Sequence, residues 1–161
     1  MRPKRVATVN PSSDKRSTTP LPISLREELV SIYRELTAEI DALGVTCWAR
    51  SHCCDFNRAE HRLYASSVEV AYVLETHSAK ELRFDGPLCP FWQDGLCTER
   101  ERRPLGCRTY FCDKDFTDRL QKLYETYYSR LQEAAAASGV SWSYGSFVEQ
   151  LKEAATAQRP K

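Results

Sequence analysis

What the sequence lacks narrows its chemistry before anything it contains. No apolar run is long enough to cross a bilayer, and the opening residues have no apolar centre of the kind that marks an export signal. These absences point to a soluble cytoplasmic protein. Charge of one sign is scarce: the formal net charge is +1, so no global field draws the chain to nucleic acid or to an acidic membrane. Glycine is sparse, at six residues in 161, and neither a glycine-rich phosphate loop nor a dinucleotide fingerprint occurs. There is no internal repeat, no Ser/His/Asp set, and no recognisable pair of carboxylates at catalytic spacing.

The small charge is unevenly spread. Residues 1–22 carry Arg2, Lys4, Arg5, Lys15 and Arg16 against Asp14, a net of +4, which leaves −3 on the remainder. Rich in Pro, Ser and Thr and poor in large apolar side chains, this stretch is expected to be a disordered basic tail. Residues 23–161 are expected to form one domain, long enough to bury a core of its own.

Cysteine, by contrast, is plentiful: Cys47, Cys53, Cys54, Cys89, Cys97, Cys107 and Cys112. In a reducing compartment disulfides are disfavoured, and an odd count fits pairing badly. Cys53 and Cys54 are neighbours, whose bridging would strain the peptide between them. Metal ligation becomes the leading account of the sulfurs.

Helical spacing sets the frame. In SLREELVSIYRELTAEIDALG, Leu25, Leu29, Ile32, Leu36, Ile40 and Leu43 form an apolar stripe, with Ser24 and Glu27 spaced as a capping box and Gly44 as the stop. A second capping box, Ser66 with Glu69, opens a helix through VEVAYVLETHSA after a short strand near Arg62–Ala65. Phe116, Leu120, Leu123, Tyr127 and Leu131 share one side of the longest helix, and Gly139 lies past its end. A third box, Ser146 with Glu149, opens FVEQLKEAATA after a brief VSWSY. Leu82–Phe84 reads as extended, and Asp94-Gly95 predicts a tight hairpin between Leu88–Trp92 and Leu96–Thr98. The expected fold is α+β and mostly helical: three to four helices around irregular cysteine-bearing loops with a short hairpin.

All seven cysteines fall in those loops, turns and the hairpin. Inert core cysteines would sit on the apolar faces of helices and strands, whereas metal ligands must converge from loops. Their spacings, Cys47-x5-Cys53-Cys54 and Cys89-x7-Cys97, match neither the tight pairs of zinc fingers nor the ferredoxin runs. Spacing alone therefore reports a cluster and does not name its metal.

Taken in order, the Cys53-Cys54 pair, Cys89-Pro90-Phe91, Gly95–Cys97 and Arg103–Arg108 (RPLGCR) resemble the YkgJ-type cysteine-cluster family, a zinc- or iron-chelating domain. The resemblance covers residues 47–112. The family's first element is usually CxxCxxCC, and here Cys47, Arg50, Cys53 and Cys54 occupy those positions, with arginine replacing the second cysteine. The resemblance implies that this chain has lost one ligand or has recruited another, such as His52 or Cys112.

Around the cysteines, Arg103 and Arg108 fit the family's arginine positions and are expected to stabilise thiolate charge from outside the ligands. Arg100 and Arg102, alternating with Glu99 and Glu101, read as a solvated loop. Pro104 is expected to stiffen the turn that presents Cys107, with Gly106 relaxing the backbone. His61 and His77 read as solvent-facing. Trp48, Phe91, Trp92 and Phe111 are expected to form a dry shell, and Tyr124, Tyr127 and Tyr128 to pack a helix. Three functions stay open: a metal-binding protein holding zinc or iron, an iron–sulfur redox protein, and a zinc-stapled module that docks a protein partner.

Overall fold

The computed structural model describes residues 20–48, 52–59, 61–79 and 81–157. Arg50 and residues 1–19 of the expected tail lie outside the described residues. Leu21 and Pro22, which the sequence assigns to that tail, belong instead to the helical layer. Leu21 is buried in its core, and the Pro22 carbonyl accepts the first helical hydrogen bond, from Arg26 N at 3.0 Å.

Helix α1 spans Ile23–Leu43 and α4 spans Thr117–Ala137. Leu25, Leu29, Ile32, Leu36 and Ile40 on α1 close against Leu120, Tyr127, Leu131 and Ala135 on α4, as their spacing requires. Tyr127 carries its hydroxyl to Glu39 Oε1 at 2.5 Å, and Gly139 takes a positive φ of 66° just past the end of α4. The Ser24–Glu27 capping box does not form. Pro22 takes the N-cap place and the helix starts two residues earlier than that box requires, so Ser24 lies inside its first turn and no side chain caps the end.

A second layer lies on the other side of α2 (Ser67–Leu74). Val68 and Tyr72 of this helix face the α1–α4 layer, whereas Val70 and Val73 pack with Cys54, Leu63, Ala65, Cys89, Phe91, Phe147 and Leu151. Helix α2 is thus apolar on both sides and forms the wall between two cores. Strand β1 (Tyr64–Ser66) leads into it and pairs antiparallel with β4 (Tyr144–Ser146), from which α5 runs over Phe147–Ala157. Gln150 Nε2 fastens α5 to the strands by donating to Ala65 O at 2.9 Å and Gly145 O at 3.2 Å. At the third expected capping box, the Glu149 carboxylate turns to Lys152 Nζ at 2.9 Å.

The hairpin is present but short: β2 (Trp92–Gln93) pairs with β3 (Leu96–Cys97), with Asp94 and Gly95 at φ of 48° and 84° in the turn. Leu82–Phe84 forms no strand. One helix escapes the sequence reading, the single turn α3 at Leu105–Arg108, which makes five helices among the described residues. The fold is α+β and mostly helical, as expected.

The Ser66–Glu69 capping box does form, and it reaches further than a cap. Glu69 is 2% exposed, and its two carboxylate oxygens accept four hydrogen bonds. Oε2 takes Ser66 N (2.7 Å) and Ser66 Oγ (2.8 Å); Oε1 takes Leu105 N (2.7 Å) and the Tyr33 hydroxyl (3.3 Å). One side chain therefore joins α1, the start of α2 and the start of α3. Burial pushes the Glu69 carboxyl above its ordinary range, and the four donors pull it back. Because every partner is a donor, an amide cannot replace the carboxylate without setting its own N–H groups against one pair of them. Glu69→Gln should destabilise the fold by about 2–3 kcal/mol, read as a lowered midpoint in chemical denaturation. An unchanged midpoint would contradict this role.

Candidate metal centre

Backbone pairing gathers the cysteines before any side chain acts. Asp55 bridges Leu88 antiparallel, with Cys89 N donating to Cys54 O at 2.7 Å and Phe56 N to Pro87 O at 3.1 Å. That ladder sets Cys54 beside Cys89 although 35 positions separate them. The chain then turns through Trp92 N to Cys89 O (2.9 Å), and the hairpin brings Cys97 back opposite Trp92. Finally Cys107 N donates to Pro104 O at 2.9 Å in α3, whose first residue is the one held by Glu69.

The result is a chamber of about 40 Å³ lined by six of the seven cysteines: Cys47, Cys53, Cys54, Cys89, Cys97 and Cys107. Within it the Cys54 thiol interacts with those of Cys53, Cys89 and Cys97. The Cys54 thiol is held well above its usual range by these three contacts, and its burial adds to them. Cys97 is drawn down to about 6, first by the contact with Cys54 and also by Arg103 and Arg100. The contact with Cys54 likewise brings Cys53 down to about 7, with Arg103 helping, and lowers Cys89. Cys107 goes the other way: burial raises its thiol well above the usual range, reinforced by Cys89 and Cys53.

These shifts describe one arrangement. A thiol has a single proton to donate, and three sulfurs compete for the proton of Cys54. The set is rich in acceptors and short of positive charge, with Arg103 and Arg100 the cations on its lining. Among the described residues, no three His, Cys, Asp or Glu side chains stand as a preformed metal-holding group. The donor chemistry nevertheless fits a soft or borderline cation, because thiolates at low proton affinity are what such ions bind. All seven cysteines are unbridged.

Several expected members of the site stand elsewhere. Cys112 is exposed and does not reach the chamber, because the chain leaves α3 away from it; Cys47 lines the chamber while remaining exposed. His52 sits in a one-turn 3-10 helix with Cys53 and Cys54, half-buried and off the lining. Trp48 is 53% exposed and Phe111 packs toward the α1–α4 layer, whereas Phe91 lines the chamber and Trp92, on a neighbouring cleft, packs against the same apolar cluster. Phe56, Leu63, Val73 and Phe147 line the chamber beside Phe91.

The arginines divide differently from the sequence reading. Arg103 lines the chamber, whereas Arg108 stacks its guanidinium over the Tyr33 ring at 3.9 Å and braces the loop by donating to the carbonyls of Arg103 (2.8 Å) and Glu101. Arg102 is no solvated side chain: it lies over the Tyr72 ring at 4.3 Å and donates to Tyr72 O (2.9 Å) and Glu75 Oε2 (3.0 Å). Gly106 sits in a tight place, since a Cβ there would meet Leu63 Cδ1 at 3.0 Å and Tyr64 O at 3.4 Å and would push the leucine aside.

Two histidines expected to face solvent are engaged. His61 stacks on Tyr110 at 4.7 Å and places Nε2 3.3 Å from Cys53 O. His77 pairs through Nε2 with Glu99, whose other oxygen accepts Arg102 N at 3.1 Å. Glu99 lines the chamber, while His77 lines an open cleft of about 510 Å³ that shares Cys89 and Phe91 with it. The pair thus spans the wall between the chamber and solvent.

In reduced, chelator-treated protein at pH 7, iodoacetamide should modify Cys97 and Cys53 before Cys107, as peptide mass mapping can follow. The Cys97 rate should fall about tenfold per unit below pH 6, where its thiolate is lost. Equal or faster labelling of Cys107 would contradict the arrangement. The chain matches no protein-family model, no curated protein and no solved structure.

Proposed function

We propose that this protein is a metal-binding cysteine-cluster protein whose ion, zinc or iron, is held in the chamber by thiolates of Cys53, Cys54, Cys89 and Cys97. The observation that carries this reading is one small chamber lined by Cys53, Cys54, Cys89 and Cys97, which backbone pairing brings together from three separate segments. A bound cation takes the place of the contested proton and ties the 53–54, 89 and 97 segments together. Cys107 is the reserve thiol of the same chamber, and Arg103 offsets the negative charge left when four thiolates meet a divalent ion. The resemblance to the YkgJ-type cysteine clusters supports the same reading.

Size favours one ion over an iron–sulfur cluster. A space of about 40 Å³ is on the scale of one or two small occupants, whereas an iron–sulfur cluster is a multi-atom group. Seven unbridged cysteines are consistent with work in the reducing cytoplasm, and among the described residues no helix is long and apolar enough to cross a membrane.

Anaerobically purified protein should carry one zinc or one iron per chain without acid-labile sulfide. Cys54→Ser and Cys97→Ser should each lose most of that metal and lower Tm by more than about 5 °C, because ligation is linked to folding. Cys112→Ser should keep both values. Wild-type metal content in both chamber variants would overturn the assignment, and equimolar iron and labile sulfide would replace the single ion by a cluster.

A further inference from the structure

The metal reading leaves a second cavity unused. It encloses about 300 Å³, at the lower end of the range for small-molecule sites. Its lining is dominated by rings. Tyr64 and Tyr144 stack across the β1–β4 ribbon with centroids 5.8 Å apart and planes 23° from parallel, and the stacked pair of His61 and Tyr110 also lines it. Tyr124 presents its hydroxyl to that of Tyr144 at 2.6 Å. Tyr64 and Tyr144 remain 43% and 45% exposed, so substantial aromatic surface is still open to a ligand.

The charges on the lining are one-sided. Among the described residues, Arg62 is exposed and makes no hydrogen bond or ion pair, and no carboxylate lines the cavity. Aromatic faces attract both cations and planar rings. With an exposed guanidinium on the lining and no acid beside it among the described residues, a cationic ligand is disfavoured and an anionic one favoured. We propose that this cavity binds a small planar aromatic ligand carrying an anionic group, its ring held by Tyr64, Tyr110 and Tyr144 and its charge met by Arg62.

The site stands apart from the metal reading yet touches its scaffold. Gly106 lines the cavity while its neighbour Cys107 lines the chamber, and His61 reaches the Cys53 carbonyl from the cavity side. A ligand would therefore rest against the backs of two cysteine-bearing segments.

The test is a titration of the full chain, as purified with its metal, followed by amide NMR. The probe is 1-naphthoate, with 1-naphthylmethylammonium and cyclohexanecarboxylate as controls. Naphthoate should shift the amides of residues 61–64, 109–111 and 144, and bind at least about tenfold more tightly than either control. Arg62→Gln should weaken naphthoate about tenfold and Tyr64→Leu about fivefold, each with an otherwise unchanged spectrum, since both side chains are exposed. Equal binding of the cationic probe, shifts confined to other surfaces, no shifts at millimolar naphthoate, or full affinity in Arg62→Gln would each overturn the proposal. None of these outcomes bears on metal content, so the two readings fail separately.

Discussion

The buried carboxylate of Glu69 joins the helical layer to the cysteine-bearing loops. A charge taken out of water must be met by donors from every side, and Ser66, Tyr33 and Leu105 N meet it. Meeting it fixes three things together: the entry to α2, the approach of α1, and the start of the single turn that carries Cys107. Arg102 and Arg108, stacked on Tyr72 and Tyr33, fasten the same loop from outside. The result is a rigid frame beneath segments that have little regular structure of their own.

Above that frame, the chamber depends on short backbone pairings more than on apolar packing. The two-residue hairpin and the single bridge at Asp55 and Leu88 offer few hydrogen bonds to hold Cys54, Cys89 and Cys97 around one chamber. Thiolates gathered there repel one another unless protons or cations intervene, so the same geometry that concentrates the sulfurs makes them costly to leave bare. The proposed metal ion would resolve that conflict by supplying positive charge and cross-linking the segments. The His77–Glu99 pair stands in the wall that the chamber shares with the open cleft.

Local chemistry made much of the fold legible. The α1 and α4 stripes, the Ser66–Glu69 box, the Asp94-Gly95 turn and the bounds of α5 all follow from residues within a few positions of one another. Where distant partners decide, sequence spacing misleads. Ser24 has the right spacing for a cap, but Pro22 and buried Leu21 start the helix earlier. Arg102, His61 and His77 look solvated in sequence because their partners, Tyr72, Tyr110 and Glu99, lie 22 to 49 positions away. Clustering of cysteines was readable, yet which of them converge was not, because the ladder between residues 54–56 and 87–89 has no signature in either segment. The aromatic cavity was equally hidden, since its tyrosines come from β1, the loop after α3, α4 and β4.

The cysteine chamber and the aromatic cavity share the short segment around Cys107, with the cysteine lining the first and Gly106 the second. The central claim concerns the first of them: that the sulfurs close on one ion. X-ray absorption at the metal edge of the natively loaded protein tests it most directly. A shell of four sulfur atoms at about 2.3 Å with no second metal nearby is expected. A shell dominated by oxygen or nitrogen, or a metal–metal distance in the spectrum, would contradict it.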